Sequence, residues 1–272
     1  MAGSGAVFTI SLLLVSLGLG CAARAPAAKP PQLATFAPEK LLDLGHPFDG
    51  DTVYWPTESV GFQLKTLHHG PTEGGYFYAS NSFAAPEHGG THLDAPIHFA
   101  EGKATTDRVP LSRLMAPAVV IDISERARQD RDTLLNVADI EAFERAHGSI
   151  ARGTIVLIRS DWSTHWPNKL AYLGSDVPGD ASNLHFPGIS AEAARALVAR
   201  NVAAVGIDTA SIDHGPSHEF WAHRILMGAD IPAFENLTEL AKLPARGALV
   251  IALPMYIRDG SGGPLRAVAV LP

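Results

Sequence analysis

Short apolar runs bounded by turn residues punctuate the second half of the chain. Residues 117–123, 153–159 and 202–208 are each almost continuously aliphatic, the pattern of strands buried on both faces. Residues 248–253 and 266–271 predict two further strands near the C-terminus. Between these runs the spacing changes to that of helices. Residues 137–147 carry Ile140 and Phe143 at helical spacing, and Gly148 follows as a stop. Ser190 is a natural N-cap for a helix over residues 191–200, with Glu192 in its first turn. Residues 219–227 form a third helical stretch ending at Gly228. Strand and helix alternate, which predicts a layered α/β structure.

The first half is less regular. Residues 43–51 are turn-rich and lead into Thr52-Val53-Tyr54-Trp55. Residues 62–67 alternate as a half-buried strand does, and residues 76–83 form an aromatic strand aimed at His88. His68 and His69, beside Gly70-Pro71, are expected in an exposed turn. Residues 22–38 have the Ala/Pro composition of a linker, and the folded domain is expected to start near Leu41. Ahead of the linker, residues 6–19 form an apolar run too short for a membrane span and of signal-peptide length. Cys21, the only cysteine, follows Leu19-Gly20 as a lipid-attachment site would. Cleavage near Ala23 or Ala25 is the competing reading. The expected organisation is an exported chain, periplasmic or lipid-anchored: a signal peptide over 1–21, a linker over 22–40 and one domain over 41–272.

Composition narrows the function classes. A hydrophobic fraction of 46% with 18% charged residues fits a globular protein with a substantial core. A net charge of −7, without any run of Lys or Arg, argues against nucleic-acid binding.

The chemistry concentrates in His88-Gly89-Gly90-Thr91-His92-Leu93-Asp94-Ala95-Pro96-Ile97-His98. Three of its four ligand-type side chains can bind a divalent metal, leaving the fourth for proton transfer. His88 and His92 have helical separation, but Pro96 and the glycine pair oppose a helix. From His92 onward the polar positions alternate, as on one face of an extended segment. A loop delivering His88, His92 and Asp94 to one metal, with His98 beside it as general base and acid, satisfies both patterns. Such a metal lowers the pKa of bound water for attack on a carbonyl. A second polar cluster comprises His214, His218, His223 and Glu235; His223 lies in the helical stretch, and Glu235 sits in an apolar setting after Phe234.

The stretch from His88 to His98 resembles the signature H-x-G-T-H-x-D-x-P-x-H of the cyclase-like metal-dependent hydrolases, the family of bacterial kynurenine formamidase and isatin hydrolase. The resemblance continues through residues 205–213, 222–226 and 234–237 and the tail 260–264. It implies a swivelling β/β/α fold within the α/β class and a homodimer. It also implies that His88, His92 and Asp94 hold one divalent metal, Zn²⁺ or Mn²⁺, and that Asp94 bridges to a second completed by His223 and Glu235. His98 is then the acid/base residue and Trp55 an aromatic wall for the substrate. The implied reaction is hydrolysis of a C–N bond in a small amide, either an aryl formamide such as N-formylkynurenine or a cyclic amide such as isatin. The alternative is an exported metal- or small-molecule-binding protein of the same fold, which would have no need of His98.

Overall fold

The aliphatic runs at 117–123, 153–159 and 202–208 fold into adjacent parallel strands, as their two-sided apolar character requires. The structure, a computed structural model, describes residues 1–3 and 37–272. The expected leader beyond residue 3, Cys21 and most of the linker lie outside the described residues. The compact unit spans Phe36–Pro272.

Among the described residues, twelve strands follow one another: β1 (Leu41–Asp43), β2 (Gln63–Pro71), β3 (Phe77–Ala84), β4 (His92–Asp94), β5 (Met115–Asp122) and β6 (Leu134–Leu135) in the first half, then β7 (Ile155–Arg159), β8 (Gly188–Ile189), β9 (Ala204–Ile207), β10 (Ala233–Glu235), β11 (Arg246–Pro254) and β12 (Gly262–Val270). The helices are α1 (Leu111–Leu114), α2 (Ser124–Gln129), α3 (Val137–His147), α4 (Lys169–Leu173), α5 (Ala191–Ala199) and α6 (Trp221–Gly228).

The main sheet runs β12-β11-β5-β7-β9-β10-β4, and β4 pairs back onto β12. These seven strands therefore close a barrel, with β1 added along β12. Closure removes the exposed edges that an open sheet would present. The strands β5, β7, β9 and β10 are mutually parallel, and the remaining pairs are antiparallel.

Side-chain alternation separates two cores. Ala116, Ala118 and Val120 of β5 join Ile155, Leu157, Phe234, Leu93 and Ala267 in one apolar cluster. Val119, Ile121, Val156, Ile158, Val205 and Ile207 face the other way and pack with Ile140, Phe143, Leu197 and Leu226 of α3, α5 and α6. The unbroken aliphatic run of β7 is thus explained, because Ile155 to Ile158 alternate between the two cores and all are fully buried. Each such side chain contributes about 1.5–3 kcal/mol of burial free energy. A third, smaller cluster of Val53, Trp162, Tyr172 and Phe186 backs Trp55.

Two helix signals were accurate, and the third stretch, expected from residue 219, begins at Trp221 and runs through Gly228. α3 ends at Gly148, which has φ 84°, and its Asn136–Asp139 capping box closes the N-terminus. Ser190 caps α5 by accepting from the Ala193 amide. Two expectations need correction. Of residues 62–67, all but Phe62 are in a strand, but β2 and β3 form a separate two-stranded hairpin that is almost wholly exposed, not half-buried. His68 and His69 lie within β2, paired to Ser80 and Ala79, not in a turn.

Candidate metal centre and active site

The strand β4 delivers the central ligands because it lies between β10 and β12. His92 is in direct register with Glu235, and Asp94 with Ala233 on one side and Gly262 on the other. Opposed residues in an antiparallel pair share a face. Leu93 and Phe234 therefore turn into the barrel core, and His92, Asp94 and Glu235 turn outward. There α6 supplies His223 over the same wall. The extended pattern expected from His92 ends at Asp94: Pro96–His98 is a single 3₁₀ turn, and that turn carries His98 back over His88. Gly90 makes the entry to β4 possible. Its φ is +57°, and a Cβ there would lie 2.4 Å from the Phe48 ring.

The donor atoms converge on Asp94. Its Oδ1 lies 2.6 Å from His88 Nδ1 and 3.1 Å from His92 Nε2. Its Oδ2 lies 3.1 Å from His223 Nε2. Glu235 Oε1 is 3.3 Å from His223 Nε2, and Glu235 Oε2 is 3.6 Å from His92 Nε2. Two overlapping triads result, His88–His92–Asp94 and Asp94–His223–Glu235, each with its ligand atoms within 4.8 Å of one another.

Outer contacts fix which nitrogen of each ring faces inward. His92 donates from Nδ1 to the Gly90 carbonyl at 2.9 Å, and His223 from Nδ1 to Asp213 at 2.7 Å. Both therefore present Nε2 to the cluster, the arrangement by which proteins orient ligating imidazoles. Asp213 also accepts the backbone amides of Ala222 and His223, so it anchors the start of α6 as well.

Asp94 and Glu235 are 1% and 4% exposed, which makes uncompensated negative charge there costly. Burial opposes ionisation of Asp94, but His92 and His88 hold its carboxyl well below the usual range. Glu235 is pushed up, first by burial and then by the charge of Asp94. Burial likewise disfavours a charged His92, yet Asp94 and Glu235 outweigh it and raise that ring to about 9. His223 is raised well above its ordinary value against the same burial, by Asp213, Asp94 and Glu235. Two buried carboxylates thus draw protons onto the imidazoles of His92 and His223. A divalent cation would supply that positive charge and leave the imidazoles neutral, so the donor set fits a metal.

A cavity of about 230 Å³ opens onto this cluster, lined by Tyr54, Trp55, Phe99 and Phe220 as well as His88, His98 and His223. His98 stacks on His88 with ring centroids 3.8 Å apart. Burial drives its pKa down to about 4, against the pull of Asp94. Trp55 is half-buried and packs edge-on against Phe186 at 6.3 Å.

The structure thus brings together His88, His92, Asp94, His98, His223, Glu235 and Trp55. His214 and His218 belong to neither triad. Sequence reasoning gave Asp213 no role and missed its bond to His223. It also missed Phe99, Phe220 and Glu58. Adjacency to His98 was the only available signal for Phe99.

A family model described as "Putative cyclase" matches residues 42–214. Isatin hydrolase of Roseibium aggregatum is 36% identical over 206 residues, covering 73% of this chain and 77% of that protein. Kynurenine formamidase of Salinibacter ruber is 28% identical over 228 residues, covering 84% and 96%. The crystal structure of an isatin hydrolase bound to the product analogue thioisatinate superposes with a TM-score of 0.78 at 31% identity, covering 86% and 92%.

Proposed function

This chain belongs to the cyclase family and is an amide hydrolase of it, and from that premise we propose that it opens a small, flat, uncharged cyclic amide at a divalent metal centre. The carrying observation is the position of Asp94, whose two oxygens face two different sets of donor atoms. His88, His92 and Asp94 would hold one ion, and Asp94, His223 and Glu235 a second. Imidazole and carboxylate donors suit Zn²⁺ and Mn²⁺ alike. When bound, the ion supplies a Lewis acid that polarises the amide carbonyl and acidifies water.

The chain's own groups do the rest. His98 is neutral at pH 7 and lines the cavity without belonging to either triad. It takes a proton from the attacking water and returns it to the departing nitrogen. Trp55, Phe99 and Phe220 offer apolar surface to a planar substrate.

The cavity's charge favours isatin over N-formylkynurenine. Apart from the metal-binding residues, His98 and Glu58, its described lining carries no ionisable side chain except the Tyr54 phenol. A substrate with an α-carboxylate finds no Arg or Lys there and meets Glu58 instead. The test is hydrolysis of isatin and of N-formylkynurenine by the full chain, metal-free and after adding Zn²⁺ or Mn²⁺. Metal-dependent turnover of isatin supports the reading; turnover unaffected by chelation removes it.

The proposal includes a homodimer. The hairpin of β2 and β3 exposes Leu64, Leu67, Phe77, Tyr78 and Phe83, each at least half accessible. A two-stranded ribbon is marginal on its own, and a second copy of the chain would cover these side chains. Export, with a lipid on Cys21, is proposed from the leader-like sequence alone.

A further inference from the structure

We infer that Glu87 and Ser261 act as a positioning pair that turns the Nδ1 nitrogen of His88 toward the metal, opposite in sense to the other two imidazoles. The inference rests on the metal centre proposed above and concerns how one of its ligands is held.

His92 and His223 each commit Nδ1 to an outer acceptor and present Nε2. His88 is reversed. Its Nδ1 is 2.6 Å from Asp94 Oδ1, and its Nε2 is 2.9 Å from Ser261 Oγ. A serine hydroxyl can donate or accept, so its own proton decides the direction. That proton goes to Glu87: Ser261 Oγ donates to Glu87 Oε2 at 2.6 Å, and the Ser261 amide donates to the same oxygen at 2.9 Å. The lone pair left on Oγ then accepts from His88 Nε2–H. With Nε2 protonated, the free lone pair of the neutral ring is on Nδ1, facing Asp94 and the cluster. The negative charge of Glu87, passed through the hydroxyl, makes His88 a better donor.

The backbone around Ser261 is fitted to this contact. The Ser261 carbonyl accepts from the Ala95 amide at 2.9 Å, next to Asp94. Gly262 is in register with Asp94, and a Cβ there would lie 2.5 Å from His88 Cε1 and 2.6 Å from the Leu93 carbonyl. Only a glycine lets β12 begin so close to the ring. The same geometry excludes Ser261 as a nucleophile activated by His88, because its proton is directed to Glu87.

The test compares metal affinity in Ser261→Ala, Glu87→Ala and Glu87→Gln, using the full metal-free chain titrated with Co²⁺ against a competing chelator. Both alanine variants are expected to bind the ion held by His88 about 10–100-fold more weakly. The Glu87→Gln amide oxygen still accepts the Ser261 proton, so this variant should fall between them and wild type. Melting temperatures in chelator separate a folding defect from a binding defect. A second readout is ¹⁵N NMR of the Zn²⁺-loaded protein, where His88 should show Nδ1 ligation and His92 and His223 Nε2 ligation. Affinities within twofold of wild type in both alanine variants, or Nε2 ligation by His88, overturn the inference. A wild-type chain that binds no metal removes the metal centre itself and this inference with it.

Discussion

His98 lies flat on His88, with ring centroids 3.8 Å apart and planes 18° from parallel. His88 is tied to Asp94 and Ser261, whereas His98 touches the cluster only through its ring faces and edges. Removing His98 should therefore leave the donor set in place and abolish proton transfer. We expect His98→Ala to lower kcat by roughly 10²–10⁴-fold, with metal affinity changed less than about threefold. Parallel kinetics and metal titration check this. Loss of the metal together with activity would make His98 a ligand instead.

Asp213 both orients His223 and anchors α6, because its carboxylate accepts from His223 Nδ1 and from two amides at the start of that helix. Asp213→Asn keeps the shape but weakens both roles. Metal affinity should fall about 10–100-fold, and helix anchoring should lose about 0.5–2 kcal/mol. Chelator competition and thermal melting measure the two separately. Unchanged metal affinity would show that α6 packing alone orients His223.

What the sequence made legible was local. The spacing from His88 to His98 needed no tertiary information, and the Gly148 stop and the Ser190 cap located the ends of two helices to within a residue. Barrel closure was hidden because it depends on β4, three residues long, pairing with Gly262-Gly263-Pro264. That tripeptide has poor intrinsic strand preference and becomes a strand only through its neighbours. The bond from Asp213 to His223 was hidden for a similar reason, since Asp213 sits in a turn where aspartate is routine. The hairpin's alternating pattern predicted burial that the described chain does not itself supply.

Asp208 gives the stability a pH dependence. It is 1% exposed and accepts the amide and hydroxyl of Ser160. Burial raises its carboxyl to about 6, with Ser160 pulling the other way. A raised carboxyl means that the folded state holds this proton more tightly than the unfolded chain does. Its contribution is thus fully present below pH 4 and is lost as the pH rises through about 6. The difference is at most about 3 kcal/mol. Urea unfolding of wild type and Asp208→Asn between pH 4 and 7 should show the wild type losing stability relative to the variant. Parallel curves would mean that Asp208 is ionised throughout.

Leu64 and Phe83 are direct cross-strand partners and are 63% and 55% exposed. Replacing both by glutamate should cost the compact unit little, since neither belongs to its buried cores. It should disrupt an assembly that covers them. Sedimentation is expected to give a dimer for wild type and a monomer for Leu64→Glu/Phe83→Glu, with unchanged melting of the monomeric unit. A wild-type monomer would refute the dimer.

Glu58 is the one carboxylate among the cavity's described lining that lies outside the two triads. It shares the lining with Tyr54 and Trp55, away from Asp94 and Glu235 in sequence and exposed where they are buried. A carboxylate in the substrate is repelled by it, while a neutral lactam is indifferent. Glu58→Arg reverses the sign at that point and supplies the bidentate partner that a substrate carboxylate lacks. An exposed pair of this kind is worth up to about 1 kcal/mol, so kcat/KM for N-formylkynurenine should rise by up to about fivefold. The value for isatin should change less than about twofold. The ratio of the two values is the quantity to follow, because any general damage to the centre cancels from it. If wild type already prefers N-formylkynurenine, the lactam assignment fails and the metal centre stands. If the ratio does not move in Glu58→Arg, the substrate lies against Phe99 and Phe220 and does not reach Glu58.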